Sequence, residues 1–302
     1  MCDCRVVAIG GITLDYVRTT ARIVGPTLGG NALYAAVGSW LVGAQAAICA
    51  RLGADFPVDL LDEAAGLGLD LTLVRRTEGP SMRVLLDESS GERIQRYLPG
   101  SGNNDALDPT PDQLLTPHPG FAAHVCGLPV ETQRRMRNAL RGRASIVTLD
   151  TVVIPGRIEP LPAELLELGA DCNAFMPSIE EVRLLWPGVD PATWVRDAAA
   201  RGSCVVLKLG ESGSLGIRRG EHVRMAAAPT RLVDATGAGD AYCGAFAATM
   251  GSGQDLRTSM AWAAAAASLV IEGYGALHAL VPERRIAARS RAEALLAAAS
   301  TK

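Results

Sequence analysis

From residue 122 to residue 209 the chain alternates short, mostly apolar runs with amphipathic stretches, and this rhythm limits its fold more than any other feature. The runs at 122–126, 145–149, 172–176 and 204–209 read as strands. The stretches at 131–141, 161–168, 179–186 and 192–201 read as helices. Strands separated by helices at this spacing pair in parallel, joined by right-handed crossovers. Upstream, Arg5–Gly10 reads as a buried strand, Ala46–Ala50 as a second, Ala32–Gly43 as a small-residue helix and Phe56–Leu67 as another helix. Downstream, alanine-rich helices are expected at 240–250 and 256–272, with a peripheral tail helix at 282–299.

Residues 72–98 break the rhythm. Thr72–Arg75, Arg83–Leu86 and Arg93–Leu98 are short strand-like runs, and 87–92 reads as a hairpin turn between the last two. Such a β excursion serves either as a flap over a site or as a plain sheet edge. No stretch reads as a free linker and no 20–50-residue period repeats, so one domain of 302 residues is expected.

In an open parallel sheet, ligands gather beyond the carboxyl ends of the strands. The polar residues falling there are Asp15, Asp150, Ser178 with Glu181, and Lys208. Lys208 and Lys302 are the only lysines among 29 basic residues. That fits a biased genome, and equally a site that needs a compact point charge. Gly29-Gly30-Asn31 permits close backbone approach, and Asn31 either caps the next helix or binds a hydroxyl.

The richest chemistry lies in Asp234-Ala235-Thr236-Gly237-Ala238-Gly239-Asp240, which runs into an apolar helix. Small residues at a helix start leave backbone N–H groups free to meet an anion, at the positive end of the helix dipole. A carboxylate beside such a hole is ill-suited to holding phosphate statically. It suits a base that takes a proton from a hydroxyl attacking phosphorus. A simple Asp-capped helix after a glycine turn would use the same residues. Glu181 is a candidate Mg²⁺ residue or half of a surface ion pair.

Composition excludes other classes. A net charge of −3 argues against nucleic acid or membrane surfaces as partners. No apolar run approaches a membrane span, and the start of the chain is no signal peptide. Seven cysteines without a Cys-x-x-Cys pair read as reduced thiols of a cytoplasmic protein; Cys2 and Cys4 make a poor metal pair. The four histidines show no zinc spacing. There is no P-loop, no protein-kinase signature and no dinucleotide fingerprint.

Taken together, these motifs resemble those of ribokinase-like (PfkB-type) carbohydrate kinases. Asp234–Asp240 resembles that family's C-terminal signature. Gly29-Gly30-Asn31 through Gly43, then Ala50–Asp55, resembles the N-terminal one. Lys208-Leu209-Gly210-Glu211-Ser212-Gly213 is similar to its nucleotide-binding turn. The resemblance runs from about residue 5 to 285. It implies a three-layer α/β/α sandwich with a mostly parallel central sheet and a small β lid from about 12–28 and 72–100. Asp240 would be the base, and Gly237, Ala238 and Gly239 the anion hole. Asp15, Gly30, Asn31, Tyr34 and Asn104 would meet the acceptor. Lys208, Gly210, Gly213, Ser178 and Thr236 would line ATP. Glu181 would organise Mg²⁺ through water. A homodimer paired through the lid is also implied.

Three positions depart from the family pattern. Ser178 replaces the Asn of an Asn-x-x-Glu motif, Lys208 stands where Thr is usual, and Tyr34 stands where many sugar kinases carry Asn. The tyrosine favours a bulkier acceptor, such as a nucleoside or cyclitol. The short interval between Asp15 and Gly29 suggests a reduced lid. The expected activity is ATP-dependent phosphorylation of a hydroxyl on a sugar or sugar-like molecule. The alternatives are a nucleoside or cyclitol kinase of the same fold, and more remotely a non-catalytic ligand sensor.

Overall fold

The structure is a computed structural model describing residues 4–18, 20, 22–87, 94–115, 119–152 and 162–299. The expected turn at 88–92, Cys2, His118 and Lys302 lie outside the described residues.

The first half of the chain contains β1 (Arg5–Ile9), β2 (Thr13–Arg18), β3 (Ile23–Gly29), α1 (Asn31–Leu41), β4 (Gln45–Gly53), α2 (Val58–Gly66), β5 (Asp70–Thr77), β6 (Arg83–Asp87), β7 (Ile94–Tyr97), α3 (Asn104–Leu107), β8 (Phe121–Val125), α4 (Val130–Ala139) and β9 (Ala144–Leu149). The second half contains α5 (Pro162–Ala170), β10 (Ala174–Phe175), α6 (Ile179–Leu185), α7 (Pro191–Ala199), β11 (Cys204–Lys208), β12 (Ser214–Arg218), β13 (Glu221–Met225), α8 (Ala238–Gly251), α9 (Leu256–Val270) and α10 (Pro282–Ala299).

The main sheet has nine strands in the order β13-β12-β11-β10-β9-β8-β1-β4-β5. Every pair from β11 to β5 is parallel, and only the β11-β12-β13 edge is antiparallel. Side chains on a strand alternate between faces, and β1 shows the consequence. Val6 and Ala8 enter a core shared with α1, α8 and α9, whereas Val7 and Ile9 enter a second core shared with α4, α5 and α7. Apolar residues at every position of β1 thus specify a strand covered on both sides, and the fold is the expected three-layer α/β/α sandwich.

The second sheet, β3-β2-β6-β7, is the lid. Two expectations are corrected. The run at 72–75 belongs to β5, which pairs in parallel with β4 at the edge of the main sheet. An edge strand is half-covered, so its mixed pattern reads like a peripheral hairpin. The short interval after Asp15 does not shrink the lid, because β2 and β3 pair antiparallel and form half of it. Strands β12 and β13 went unread; they are short and interrupted by Arg219-Gly220, with φ of 49° and 83°.

Helix α8 is buried at every position from Ala241 to Met250. It lies close against α1 because glycines face backbone: a Cβ on Gly38 would strike Ala241, and one on Gly244 would strike Ala35. Ser39, in α1, donates its hydroxyl to Gly244 O across the contact (2.9 Å). This packing sets the position of the α8 N-terminus.

Candidate active site

A cleft of about 1400 Å³ crosses the carboxyl edge of the main sheet, under the lid. It is lined by Asp15, Gly30, Asn31, Tyr34, Ser178, Glu181, Lys208, Gly210, Gly213, Thr236, Gly237, Ala238, Gly239 and Asp240. Residues 200 positions apart therefore share one wall, as expected of strand ends in a parallel sheet. Asn104 begins α3, and its side chain lies outside the described residues; that segment meets the cleft through Leu107 and Asp108.

At the centre, Gly237 adopts φ 73° and caps α8, so Ala238, Gly239 and Asp240 form the first turn of a buried helix. Upstream, Asp234 Oδ1 accepts the Thr236 N–H (2.8 Å) and the Thr236 hydroxyl, bracing the loop. The Tyr34 ring lies directly against Gly237, where a Cβ would collide with it. Tyr34 is 3% exposed. The ring packs under the loop while Tyr34 also lines the cleft, so it supports the loop from the acceptor side.

On the lid side, Asp15 is buried and accepts the Thr13 hydroxyl (2.5 Å). Gly30 has φ 102°, and a Cβ there would run into Gly11 O, so only glycine fits. Asn31 needs correction. Its Oδ1 accepts the Gly11 N–H (2.8 Å) and its Nδ2 donates to Gly127 O (2.7 Å), tying the ends of β1 and β8 together. The Asn31 amide is a tie before it is a hydroxyl ligand. Met82, Val84, Leu86, Leu107 and Tyr97 add an apolar wall from the lid and α3.

At the other end, Gly213 has φ 87° and would clash with Met225 O through a Cβ, which fixes the turn after β11. Gly210, φ 57°, faces open space. Lys208 is no free cation, contrary to the sequence reading. Its Nζ donates to Asp150 Oδ2 at 2.6 Å and lies 3.4 Å from Cys243 Sγ, and the residue is 9% exposed. Burial pulls the ammonium's pKa down, but Asp150, Cys243 and Glu181 outweigh it and the net direction is well up. The pair lies just beneath the anion loop, beside Gly239. Ser178 and Glu181 form a reciprocal cap on α6: the Ser178 N–H donates to Glu181 Oε2 (2.7 Å) and the Glu181 N–H to Ser178 Oγ (3.3 Å). Burial, with Asp150 nearby, pushes the Glu181 carboxyl up to about 7 against the opposing pull of Lys208.

Sequence reasoning placed Asp150 on this edge but left two other neighbours of Lys208, His124 and Cys243, out of the site. His124, Asp150 and Cys243 are buried, with ligand atoms within 4.8 Å of one another. The Lys208 ammonium already contacts two of the three. Burial holds His124 down at about 4, so it is neutral at physiological pH. The position of Asp150 at a strand end was the one signal available. Divalent Mg²⁺ prefers oxygen ligands and keeps several waters. Glu181 fits that chemistry: one of its oxygens is engaged by the Ser178 N–H, and it lines the cleft.

Residues 5–284 match the profile of the pfkB family carbohydrate kinases. The chain belongs to that family. It is accordingly a small-molecule kinase. Among curated relatives, a ribokinase of Arabidopsis thaliana is 28% identical over 252 residues, covering 78% of this chain and 64% of that protein. A cytidine kinase of Thermococcus kodakarensis is 26% identical over 261 residues, covering 83% and 90%. Among solved structures, aminoimidazole riboside kinase from Salmonella enterica, complexed with aminoimidazole riboside and an ATP analogue, superposes with a TM-score of 0.75 at 20% identity, covering 94% and 99%. Fructokinase from Vibrio cholerae O395, with fructose, ADP and calcium, gives 0.77 at 18%, covering 94% and 98%. At such identities the superpositions speak for the fold.

Proposed function

We propose that the protein transfers the γ-phosphoryl group of ATP to a hydroxyl of a sugar or nucleoside, with Asp240 as the general base. One observation carries this reading: Asp240 stands in the first turn of a buried helix, beside the N–H groups of Gly237–Gly239, midway along a cleft with two unlike ends. The lid end offers Asp15 to acceptor hydroxyls. The far end offers the Gly210–Gly213 turn to the donor's phosphates, with the Lys208–Asp150 pair, its charge already answered, beneath the loop. Asp240 removes the proton from the attacking hydroxyl, and the loop N–H groups receive the charge that builds on the transferred group. Bound Mg²⁺, held by Glu181 through water, would neutralise phosphate charge. The ribokinase and cytidine kinase relatives, the riboside kinase with its riboside and ATP analogue, and the fructokinase with fructose and ADP support this assignment.

A nucleoside acceptor is the second reading. Tyr34 is 3% exposed and offers a base little surface, but the apolar lid wall of Met82, Val84, Leu86 and the 42% exposed Tyr97 suits the face of a base. The proposal extends to a single catalytic domain, a cytoplasmic location and a homodimer. All six described cysteines are free thiols, as a reducing compartment requires. The lid strands expose Ile23, at 55%, and Ile94, at 37%, which supports pairing there. No helix among the described residues is long and apolar enough to cross a membrane.

The test is a coupled ADP-release screen with Mg²⁺-ATP over sugars, nucleosides and cyclitols, run beside Asp240→Asn. Turnover that the variant loses supports the proposal. Turnover that the variant keeps refutes the base assignment, and turnover on nucleosides alone selects the second reading.

A further inference from the structure

A second cavity, of about 260 Å³, opens at the opposite edge of the main sheet. Its walls include Arg5 and Gln45, the first residues of parallel strands β1 and β4, together with Trp40, Gly68, Asp70 and Arg285. A five-residue strand at about 3.3 Å per residue separates this edge from the catalytic one by roughly 16 Å. Nothing in the kinase mechanism uses it.

The hydrogen-bonding capacity of the cavity is one-sided. Arg285, on α10, places its guanidinium carbon 3.7 Å from the ring centroid of Trp40. Its Nε is buried and has no hydrogen-bond partner, and among the described residues Arg285 enters no ion pair. A guanidinium left this way is free to take an anion, because its fork of donors matches carboxylate and phosphate oxygens. The Trp40 indole nitrogen, a donor only, lies over Gly68 on the same wall; a Cβ added there would come within 3.3 Å of it. Arg5 supplies further N–H groups.

Asp70 is the one carboxylate in the wall, and it is already committed. Its Oδ1 accepts both the N–H (2.9 Å) and the hydroxyl (2.6 Å) of Thr72, and its Oδ2 accepts from Arg5 (2.7 Å). Those bonds hold its pKa below the ordinary carboxylate value in spite of partial burial. Asp70 thus cancels Arg5 and leaves the charge of Arg285 over. Apart from the Gln45 amide, which both donates and accepts, what the side chains of the cavity still offer is donors and one uncompensated positive charge.

We propose that this cavity, built by Arg285 stacked on Trp40 and backed by Arg5, binds a small oxyanion of the phosphate or carboxylate type. The occupant lies against the guanidinium fork of Arg285, with the indole N–H as a further donor. Its chemistry is shared by inorganic phosphate and by small polycarboxylates, and the cavity volume admits either.

The experiment is isothermal titration of the full chain with sodium phosphate and, separately, with sodium citrate at constant ionic strength. Each titration is repeated on Arg285→Gln and Arg285→Lys. Because the anion loop of the active site also takes phosphate, near-ultraviolet emission is followed in parallel on the wild type and on Trp40→Phe, whose difference isolates Trp40 among the four tryptophans. Loss of a charge-assisted pair predicts at least tenfold weaker binding in Arg285→Gln. Arg285→Lys keeps the charge and retains most of the affinity, and in the wild type the Trp40 emission changes along the same isotherm. Saturation by phosphate alone assigns an inorganic occupant; saturation by citrate with weaker phosphate assigns an organic acid. The proposal is overturned if neither anion saturates below tens of millimolar, or if the binding and the emission change are identical in Arg285→Gln. ADP release by Arg285→Gln serves as the folding control, since Arg285 lies outside the catalytic cleft.

Discussion

Replacing Glu181 by Gln isolates the energetic consequence of one buried carboxyl. Gln keeps the acceptor that Ser178 N–H requires, so the cap on α6 survives. What changes is the charge. In the folded chain the Glu181 carboxyl is pushed up from 4.5 to about 7, chiefly by burial and next by Asp150. A raised pKa means that the folded state is favoured while the group is protonated. That stability is fully present below the unfolded value and is lost as the pH rises through about 7. With each pKa unit linked to about 1.4 kcal/mol, the loss is on the order of 3 kcal/mol by pH 8.5. The Gln side chain does not titrate and escapes it. Unfolding entropy of about 2 cal/mol/K per residue turns this into a Tm gap of roughly 5 °C for a chain of 302 residues. Calorimetry in chelator, without nucleotide, should find Glu181→Gln more stable than wild type at pH 8.5 and equal to it near pH 4.5–5. A gap that is constant with pH, or that widens as the pH falls, would refute the reasoning.

Asp240→Asn should lower kcat by about 10²–10⁴-fold in steady-state assays while leaving Tm nearly unchanged, since the residue is half-buried and its amide analogue is isosteric. Gly244→Ala forces a Cβ into Ala35 backbone and should cost more than the usual ~1–3 kcal/mol of overpacking, read by denaturant unfolding. Lys208→Met leaves Asp150 buried without its cation and should destabilise by about 3–5 kcal/mol. Adding Asp150→Leu should recover part of that loss, and strictly additive losses in the double-mutant cycle would show that the pair is not coupled.

The sheet was legible because its signals are local. Val6–Ile9 and Val205–Leu207 are apolar on both faces, which few structures other than a covered strand permit. The lid and the antiparallel edge were harder: β7 is exposed throughout, and β5 has mixed burial, so neither shows a clean period of two. The active loop was legible for the same local reason, as glycines at a helix start carry their own meaning. Its supports were not. That Asn31 would join Gly11 to Gly127, that the Tyr34 ring would lie on Gly237, and that Lys208 would reach Asp150 are contacts spanning 20 to 203 residues of chain. No spacing rule encodes them. The single interior lysine was noticed, but only the placement of the end of β11 beside Asp150, just past β9, shows that its charge is answered.

That answered charge changes what the donor end of the cleft can do. Lys208 is neutralised by Asp150 within a buried pair, and Glu180 and Glu181 also line this end. The loop N–H groups and the dipole of α8 contribute about half a positive charge at its half-buried first turn. A nucleotide polyphosphate therefore meets no net positive field from these side chains, and two carboxylates oppose it. Its affinity must depend on a divalent cation that answers Glu181 and the phosphates together. Titration calorimetry of ATP should show at least tenfold tighter binding with Mg²⁺ than in chelator. At pH 8.5, where Glu181 is ionised, the gain should shrink in Glu181→Gln, which removes one of the two opposing charges, and metal-free ATP should bind that variant more tightly than wild type. Equal affinities with and without Mg²⁺ in the wild type would mean that the Lys208 charge reaches the phosphates after all, and that the pair with Asp150 opens when nucleotide arrives.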